Sequence, residues 1–303
     1  MSKAQFPRET VTGTFNRQES SFRKWIEQGT EFEPAPNRYH LYLSYACPWA
    51  HRTLITRALK NLEDVISASF VDPVRDDKGW RFSTEGSPYF DYVNGFNYLS
   101  EAYKRTNSNY DKRVSVPVLW DKETGQIVNN ESSDIIIMLN DAFNSYTNSD
   151  LDLYPEELKH EIDELNDFIY THINNGVYKC GFTTDQNVYE SECNKLFNAL
   201  DRIDERLSGK TYLVQDKLTL ADIRLFPTLI RFDVVYYNHF KTNKKHIYEY
   251  ENLRPFLKNL YHREKIKPTV KFDEIKDHYF KTHQYINPTR IVPSGPDIIS
   301  RLG

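Results

Sequence analysis

Strand-like patterning stops at residue 128 of this 303-residue chain, and the amphipathic stretches beyond it have helical period. Residues 39–45 alternate apolar and polar side chains, as a half-buried strand does. Residues 65–71, 114–120 and 126–128 read as further strands, the second of them interrupted by Pro117. After residue 150 the pattern predicts helices over 155–173, 189–207, 220–237, 253–264 and around 272–279. Such a chain needs an α/β domain followed by an all-helical one. Its length is enough for two cores. The division falls in 144–150, "NSYTNSD", which is polar and turn-rich.

Within the first part the order is strand, helix (48–62), strand, a long polar segment (72–112), a hairpin and a helix (132–143). A strand–helix–strand unit implies a parallel pair, and the whole order is thioredoxin-like. The expected organisation is an arm over 1–37, a thioredoxin-like domain over 38–148 and an all-helical domain over 149–303. Pro7, Pro34 and Pro36 punctuate the arm, and 20–28 is predicted as a short helix inside it. The 72–112 segment is expected to be a loop with a helical portion near 99–103. Long loops of this kind are usually functional or disordered.

Composition narrows the function. The chain carries 39 Lys and Arg against 43 Asp and Glu, a net charge of −4, which gives no footprint for nucleic acid. No apolar run approaches a membrane span. The first 25 residues are polar and lack an apolar signal core, so a cytoplasmic protein is expected. The three cysteines, Cys47, Cys180 and Cys193, are too few for a disulfide framework and lack zinc spacing. A reducing compartment and no metal are the expectation.

Cys47 is the residue with the clearest chemistry. Pro48 suits the first helical turn because it has no N–H to leave unpaired, which puts Cys47 at or just before the N-cap. Unpaired N–H groups and the helix dipole favour an anion there, and the thiolate is a cysteine's reactive form. His51 and Arg52 stand within about a turn of it and could add positive potential. The plain alternative is a buried structural cysteine. Three residues on stands Ala50, so no internal partner can resolve a disulfide; an external thiol such as glutathione must. Two further sites fit a glutathione site. Val116-Pro117 heads a strand, where thioredoxin-like folds hold a cis bond that turns backbone groups toward the ligand, unless it is only an edge-strand proline. In "NNESSDI" (129–135) a helix is expected to start with Ser132 or Ser133 as its cap. Its open end can hold a carboxylate and Glu131 an ammonium group, unless the motif is only a cap. Thr219 and Asp222 form a capping box heading an apolar helix.

With "CPWAHR", "GWRF", "VPVLWDK", "NNESSDI", "NNGVYKCGF", "LTLADIRLFPTLIRFDVVYYNHFK" and "IKDHYFKTHQYINPTRIVPSGP", the sequence resembles the glutathionyl-hydroquinone reductases, the Omega-like Xi class of glutathione transferases. The likeness runs from about residue 10 to the C-terminus. "GFTTD" and "HFKTN" depart from the commoner forms, which touches shape rather than chemistry. The resemblance implies a thioredoxin-like domain followed by an all-α glutathione-transferase domain, which carries the aromatic substrate site. It implies Cys47 as the catalytic cysteine. Trp80, Arg113, Val116, Glu131 and Ser132 are the implied glutathione contacts. Tyr178, Tyr236 and Tyr279 are the implied tyrosines facing a hydroquinone, with the adjacent Tyr237 as an alternative to Tyr236. It further implies glutathione as co-substrate, a glutathionylated hydroquinone as substrate, and a homodimer formed through the helical domains. Competing readings are a broader thiol transferase or dehydroascorbate reductase, which would not need the tyrosines, and a non-enzymatic glutathione-binding adaptor, which would not need a reactive thiol.

Overall fold

The computed structural model describes residues 5–303. The chain gathers into two compact units. One is formed by Glu19–Asp152 with Pro268–Glu274, and the other by the residues up to Gln18, Leu153–Lys267 and Ile275–Gly303.

The first unit contains β1 (Tyr39–Leu43), α1 (Pro48–Leu59), β2 (Ser67–Phe70), α2 (Ser100–Thr106), β3 (Val118–Asp121), β4 (Gln126–Asn129) and α3 (Ser132–Asp141). The strands lie in the order β2-β1-β3-β4. β1 and β2 run parallel with His40 opposite Ser67, while β3 and β4 are antiparallel additions. This is the thioredoxin-like arrangement expected. Every residue of β1 is buried, although its pattern predicts one wet face. The difference lies in what meets the polar members. His40 Nδ1 is 2.7 Å from Ser67 Oγ, and Tyr42 donates to Asp91 at 3.1 Å. A buried polar group that keeps its hydrogen bond avoids most of its desolvation cost.

Asp91 also explains the 72–112 segment. Its side chain is fully buried. Besides Tyr42 it accepts from the backbone N–H of Val93 (3.0 Å), Asn94 (3.3 Å) and Phe96 (3.0 Å). One carboxylate thus satisfies the donors of a tight bend, and Trp80, Phe82, Phe96 and Leu99 fold from the same segment into the core. The segment is an ordered part of the unit.

Residues 20–28 do not form the expected helix. They run extended along β4: Lys24 N donates to Val128 O at 3.0 Å, Asn130 N donates to Phe22 O at 3.0 Å, and Arg23 bridges to Asn129. β4 is otherwise an edge strand with unpaired backbone groups. Pairing with that edge wins over the weak helical pattern of the segment, and Ile26 becomes a core residue.

The second unit holds α4 (Lys159–Ile169), α5 (Gly176–Phe182), α6 (Gln186–Arg206), α7 (Leu220–Arg231), α8 (Leu253–Tyr261), most of α9 (Phe272–Thr282) and α10 (Ile298–Leu302), with a short hairpin pairing Thr10–Val11 and Thr14–Phe15. The capping box is present at α7. Asp222, fully buried, accepts from Thr219 N at 2.7 Å and Leu213 N at 2.9 Å. Burial nevertheless pushes its carboxyl up to about 6. Two predicted helices change character before they end: α4 widens into π turns over Tyr170–Asn174, and α7 does so over Phe232–Tyr236. A π turn adds a residue to the turn, which rotates the side chains beyond it by about 100° relative to an unbroken helix. Between α5 and the residue after Tyr237–His239, Gly181 lets the Phe240 ring close in: a Cβ there would sit 2.1 Å from a ring carbon.

Candidate functional site

Cys47 is the N-cap of α1, with extended backbone (φ −79°, ψ 121°), and Pro48 is the first helical residue. The thiol is half-buried and donates to Val116 O at 3.5 Å. The Val116-Pro117 bond is cis, as expected. The sulfur therefore faces the carbonyl of the cis Val116-Pro117 peptide. His51 and Arg52 are both buried. His51 Nε2 lies 2.8 Å from Thr269 Oγ1. Arg52 reaches the start of α3 instead, donating to Ser132 Oγ at 3.3 Å, with its guanidinium 4.5 Å from the Trp49 ring centre.

Glu131, rather than Ser132 or Ser133, caps α3. Its carboxylate accepts from Ser133 N at 3.1 Å, Ser133 Oγ at 3.0 Å and Ser20 Oγ at 2.9 Å. The longer side chain folds back over the open helix end, and Ser132 becomes the first helical residue. Burial alone would raise this carboxyl. The Ser133 N–H, the hydroxyls of Ser20 and Ser133 and the charge of Arg52 outweigh it and hold the group below its usual range. An anionic group thus stands at a positive helix end beside Ser132, a pairing suited to a ligand bearing both an ammonium and a carboxylate. Trp80 is buried, with the Arg75 guanidinium 5.2 Å from its ring centre. Arg113 is half-buried, and its carbonyl accepts from Tyr110 OH at 2.9 Å.

In the second unit, Tyr178 of α5, Tyr236 of the second π segment and Tyr279 of α9 converge. Tyr279 OH lies 2.6 Å from Tyr178 OH and 3.0 Å from Tyr236 OH. Their side chains are 8%, 0% and 1% exposed in the order 178, 236, 279. Burial, with the neighbouring phenols adding to it, drives Tyr236 and Tyr279 well above the ordinary phenol value. Both are neutral hydrogen-bond donors at any physiological pH. Tyr237 instead stacks on His246, ring centres 3.6 Å apart, so it is Tyr236 that joins the tyrosine cluster. Periodicity could not make that choice, because the π turn resets the helical register just before it.

The structure adds residues to this cluster that sequence reasoning passed over. Phe240 packs against Tyr178, Tyr236 and Tyr279 with ring centres 5.4, 5.4 and 5.7 Å away. Arg17, from the N-terminal segment, lies 4.7 Å over the Tyr178 ring and donates to Asn175 Oδ1 at 2.8 Å. His239 Nε2 and His283 Nδ1 are 3.1 Å apart, and burial pushes His239 down to about 3. Phe240, His239 and His283 stood inside quoted motifs; nothing in its neighbourhood marked Arg17. Among the described residues, no cluster of three or more His, Cys, Asp or Glu side chains could hold a metal ion, and no helix is long and apolar enough to cross a membrane.

Fold and sites together define a glutathione transferase. The family model for the glutathione S-transferase N-terminal domain matches residues 46–142, and that for the C-terminal domain matches 186–261. The glutathionyl-hydroquinone reductase PcpF of Sphingobium chlorophenolicum is 45% identical over 97% of this chain and 93% of its own length. The glutathione S-transferase Xi of Phanerochaete chrysosporium superposes with a TM-score of 0.91 at 48% identity, covering 93% of this chain and 98% of that one. The glutathione-bound structure of YqjG from Escherichia coli gives 0.87 at 46% identity, covering 91% and 92%. The chain belongs to the glutathionyl-hydroquinone reductases, the Xi class of glutathione transferases.

Proposed function

We propose that the chain removes glutathione from glutathionyl-hydroquinones, consuming a second glutathione and yielding the hydroquinone and glutathione disulfide. The observation that carries this reading is the Cys47 sulfur, at the start of α1 and 3.5 Å from Val116 O beside the cis proline. A transferase that conjugates uses a hydroxyl there to stabilise the thiolate of glutathione. A cysteine in that place forms a disulfide with it.

Cys47, as thiolate, attacks the glutathione sulfur of the thioether. A Cys47–glutathione S–S bond forms and the sulfur–ring bond breaks, its electron pair going to the ring carbon. A bare aryl carbanion is too poor a leaving group. The ring must take a proton, or already be the keto tautomer, as the bond breaks. We assign the hydrogen bonding of the quinol oxygens and the delivery of that proton to Tyr178, Tyr236 and Tyr279. Neutral, linked phenols suit this work, since each hydroxyl can donate and accept within the chain of three. A second glutathione thiolate then attacks the glutathione sulfur of the mixed disulfide, releasing glutathione disulfide and returning the Cys47 thiolate. Glutathione is held, on this reading, by the Val116 backbone, by Glu131 and Ser132 for its γ-glutamyl end, and by Trp80 and Arg113.

The same reading makes the protein a cytoplasmic homodimer paired through its helical domains; sedimentation equilibrium checks the dimer, and a monomer mass would refute it. The reaction itself is tested with glutathionyl-menadione and excess glutathione, following quinol release. The wild type should turn over and Cys47→Ser should not; turnover by Cys47→Ser would overturn the proposal.

A further inference from the structure

Arg17 takes no part in the reaction above, yet its charge stands on the tyrosine chain. It belongs to the second unit together with Asn175 and Tyr178. Its Nε donates to Asn175 Oδ1 at 2.8 Å, and its guanidinium lies 4.7 Å from the centre of the Tyr178 ring. Asn175 stands just ahead of α5 and Tyr178 three residues on, so the two are neighbours on one helix face. One guanidinium thus engages the head of α5 and a ring one turn later.

The segment carrying Arg17 is fixed to the same helix. Gly13 O accepts from Thr183 Oγ1 at 2.7 Å and from Thr184 N at 3.1 Å. The approach there is close: a Cβ on Gly13 would sit 2.7 Å from Asp185 Cβ. Phe15, in the hairpin, meets Phe182 edge-on with ring centres 5.1 Å apart, and Arg17 lies 5.6 Å from the Phe15 ring centre. Backbone bonds and ring packing on α5 therefore set where the charge sits.

We propose that Arg17 is a positioning residue of the reaction set out above, on which this inference rests: held over the Tyr178 ring, its charge makes Tyr178 the tyrosine that gives its proton to the departing ring. A cation over an aromatic face is attracted by the ring, and more so once the phenol oxygen turns negative. Tyr236 and Tyr279 are less suited to that step. Burial holds both well above the ordinary phenol value and outweighs the positive charge of the buried Arg231. Tyr178 is also the most exposed of the three. As the electron pair of the sulfur–ring bond passes to the ring carbon, the Tyr178 O–H bond breaks and a C–H bond forms. The phenolate left on Tyr178 accepts from Tyr279 OH at 2.6 Å and faces Arg17. Its proton returns from the thiol of the second glutathione, which ionises to attack the mixed disulfide, so the overall reaction still balances.

The test compares Arg17→Gln, which keeps an amide donor for Asn175 and loses the charge, with Arg17→Lys, which keeps the charge. Quinol release from glutathionyl-menadione should fall by about tenfold in Arg17→Gln and stay within about threefold of wild type in Arg17→Lys. Exchange with bis(2-hydroxyethyl) disulfide needs no ring proton and should fall by no more than about threefold in either variant. Undiminished quinol release by Arg17→Gln would overturn the proposal. So would equal losses in the two variants or in the two assays, since lost packing alone produces them. A second readout needs no turnover and separates this proposal from the reaction it rests on. With 3-fluorotyrosine at position 178, the fluorine NMR signal is followed against pH. Its ionisation midpoint should rise in Arg17→Gln and hold in Arg17→Lys. A midpoint unmoved by Arg17→Gln overturns the role of the charge even where the wild type releases quinol. A wild type that releases none, with the midpoint moving as expected, fails the reaction and leaves the charge on Tyr178 established.

Discussion

Replacing Tyr279 by Phe removes one oxygen from the centre of the tyrosine chain and little else. The ring keeps its place against Phe240, 5.7 Å away, and Tyr236, 5.5 Å away. What is lost is the hydroxyl that Tyr178 meets at 2.6 Å and Tyr236 at 3.0 Å. Taking a hydrogen-bond partner from a buried hydroxyl costs about 1–3 kcal/mol, so the variant should be less stable by at least about 1–3 kcal/mol in urea unfolding. Loss of a positioned proton donor typically slows the step it serves by about 10²–10⁴-fold. Quinol release from glutathionyl-menadione should therefore fall by at least about 10²-fold. Exchange with a small disulfide, such as bis(2-hydroxyethyl) disulfide, uses only the Cys47 side of the reaction and should stay within about threefold of wild type. Equal losses in both assays would mean the tyrosines matter only for folding. No loss in either would refute their chemical role and favour a general thiol transferase.

Three other expected outcomes rest on the packing. His40 and His239 are held neutral by burial, both down to about 3. Below pH 6.5 the unfolded chain takes up protons that the folded one does not, so stability is retained above that pH and lost as pH falls from 6.5 toward 3. Each histidine gives a slope of up to about 1.4 kcal/mol per pH unit; urea midpoints between pH 7 and pH 5 should show it, and His40→Gln should reduce it, an unchanged slope arguing against His40. Asp91→Ala leaves Tyr42 and three backbone N–H groups without their acceptor and should cost about 3 kcal/mol or more, with early proteolysis in 72–112; protease resistance equal to wild type would contradict that role for Asp91. Gly181→Ala puts a methyl into the Phe240 ring and should cost about 1–3 kcal/mol by overpacking while lowering quinol release through the displaced tyrosines; full activity would show that Phe240 does not hold them.

Much of this architecture was legible in the chain, for physical reasons. The parallel β1–β2 pair, the proline-headed α1 and the capping box of α7 are short-range events with strong residue signatures, and the cis bond before Pro117 followed from the likeness to thioredoxin-like folds. What was not legible depends on distant partners. Residues 20–28 are extended because β4 offers an edge, and Glu131 caps α3 because its carboxylate also finds Ser20. The π turn before Tyr236 has no local signature beyond Pro227 upstream. Motif likeness therefore could not separate Tyr236 from Tyr237, whereas the structure puts Tyr236 in the hydrogen-bonded tyrosine cluster and Tyr237 against His246. Arg17 meets Tyr178 across 161 positions of sequence, and no spacing rule predicts that.

The account depends on a covalent intermediate at one sulfur, and intact-protein mass spectrometry observes it directly. The wild type is mixed with a stoichiometric amount of glutathionyl-menadione and no free glutathione, then quenched in acid. One glutathione should be found on Cys47, matched mole for mole by released quinol. Quinol released with Cys47 unmodified, or with the adduct on Cys180 or Cys193 instead, would contradict it.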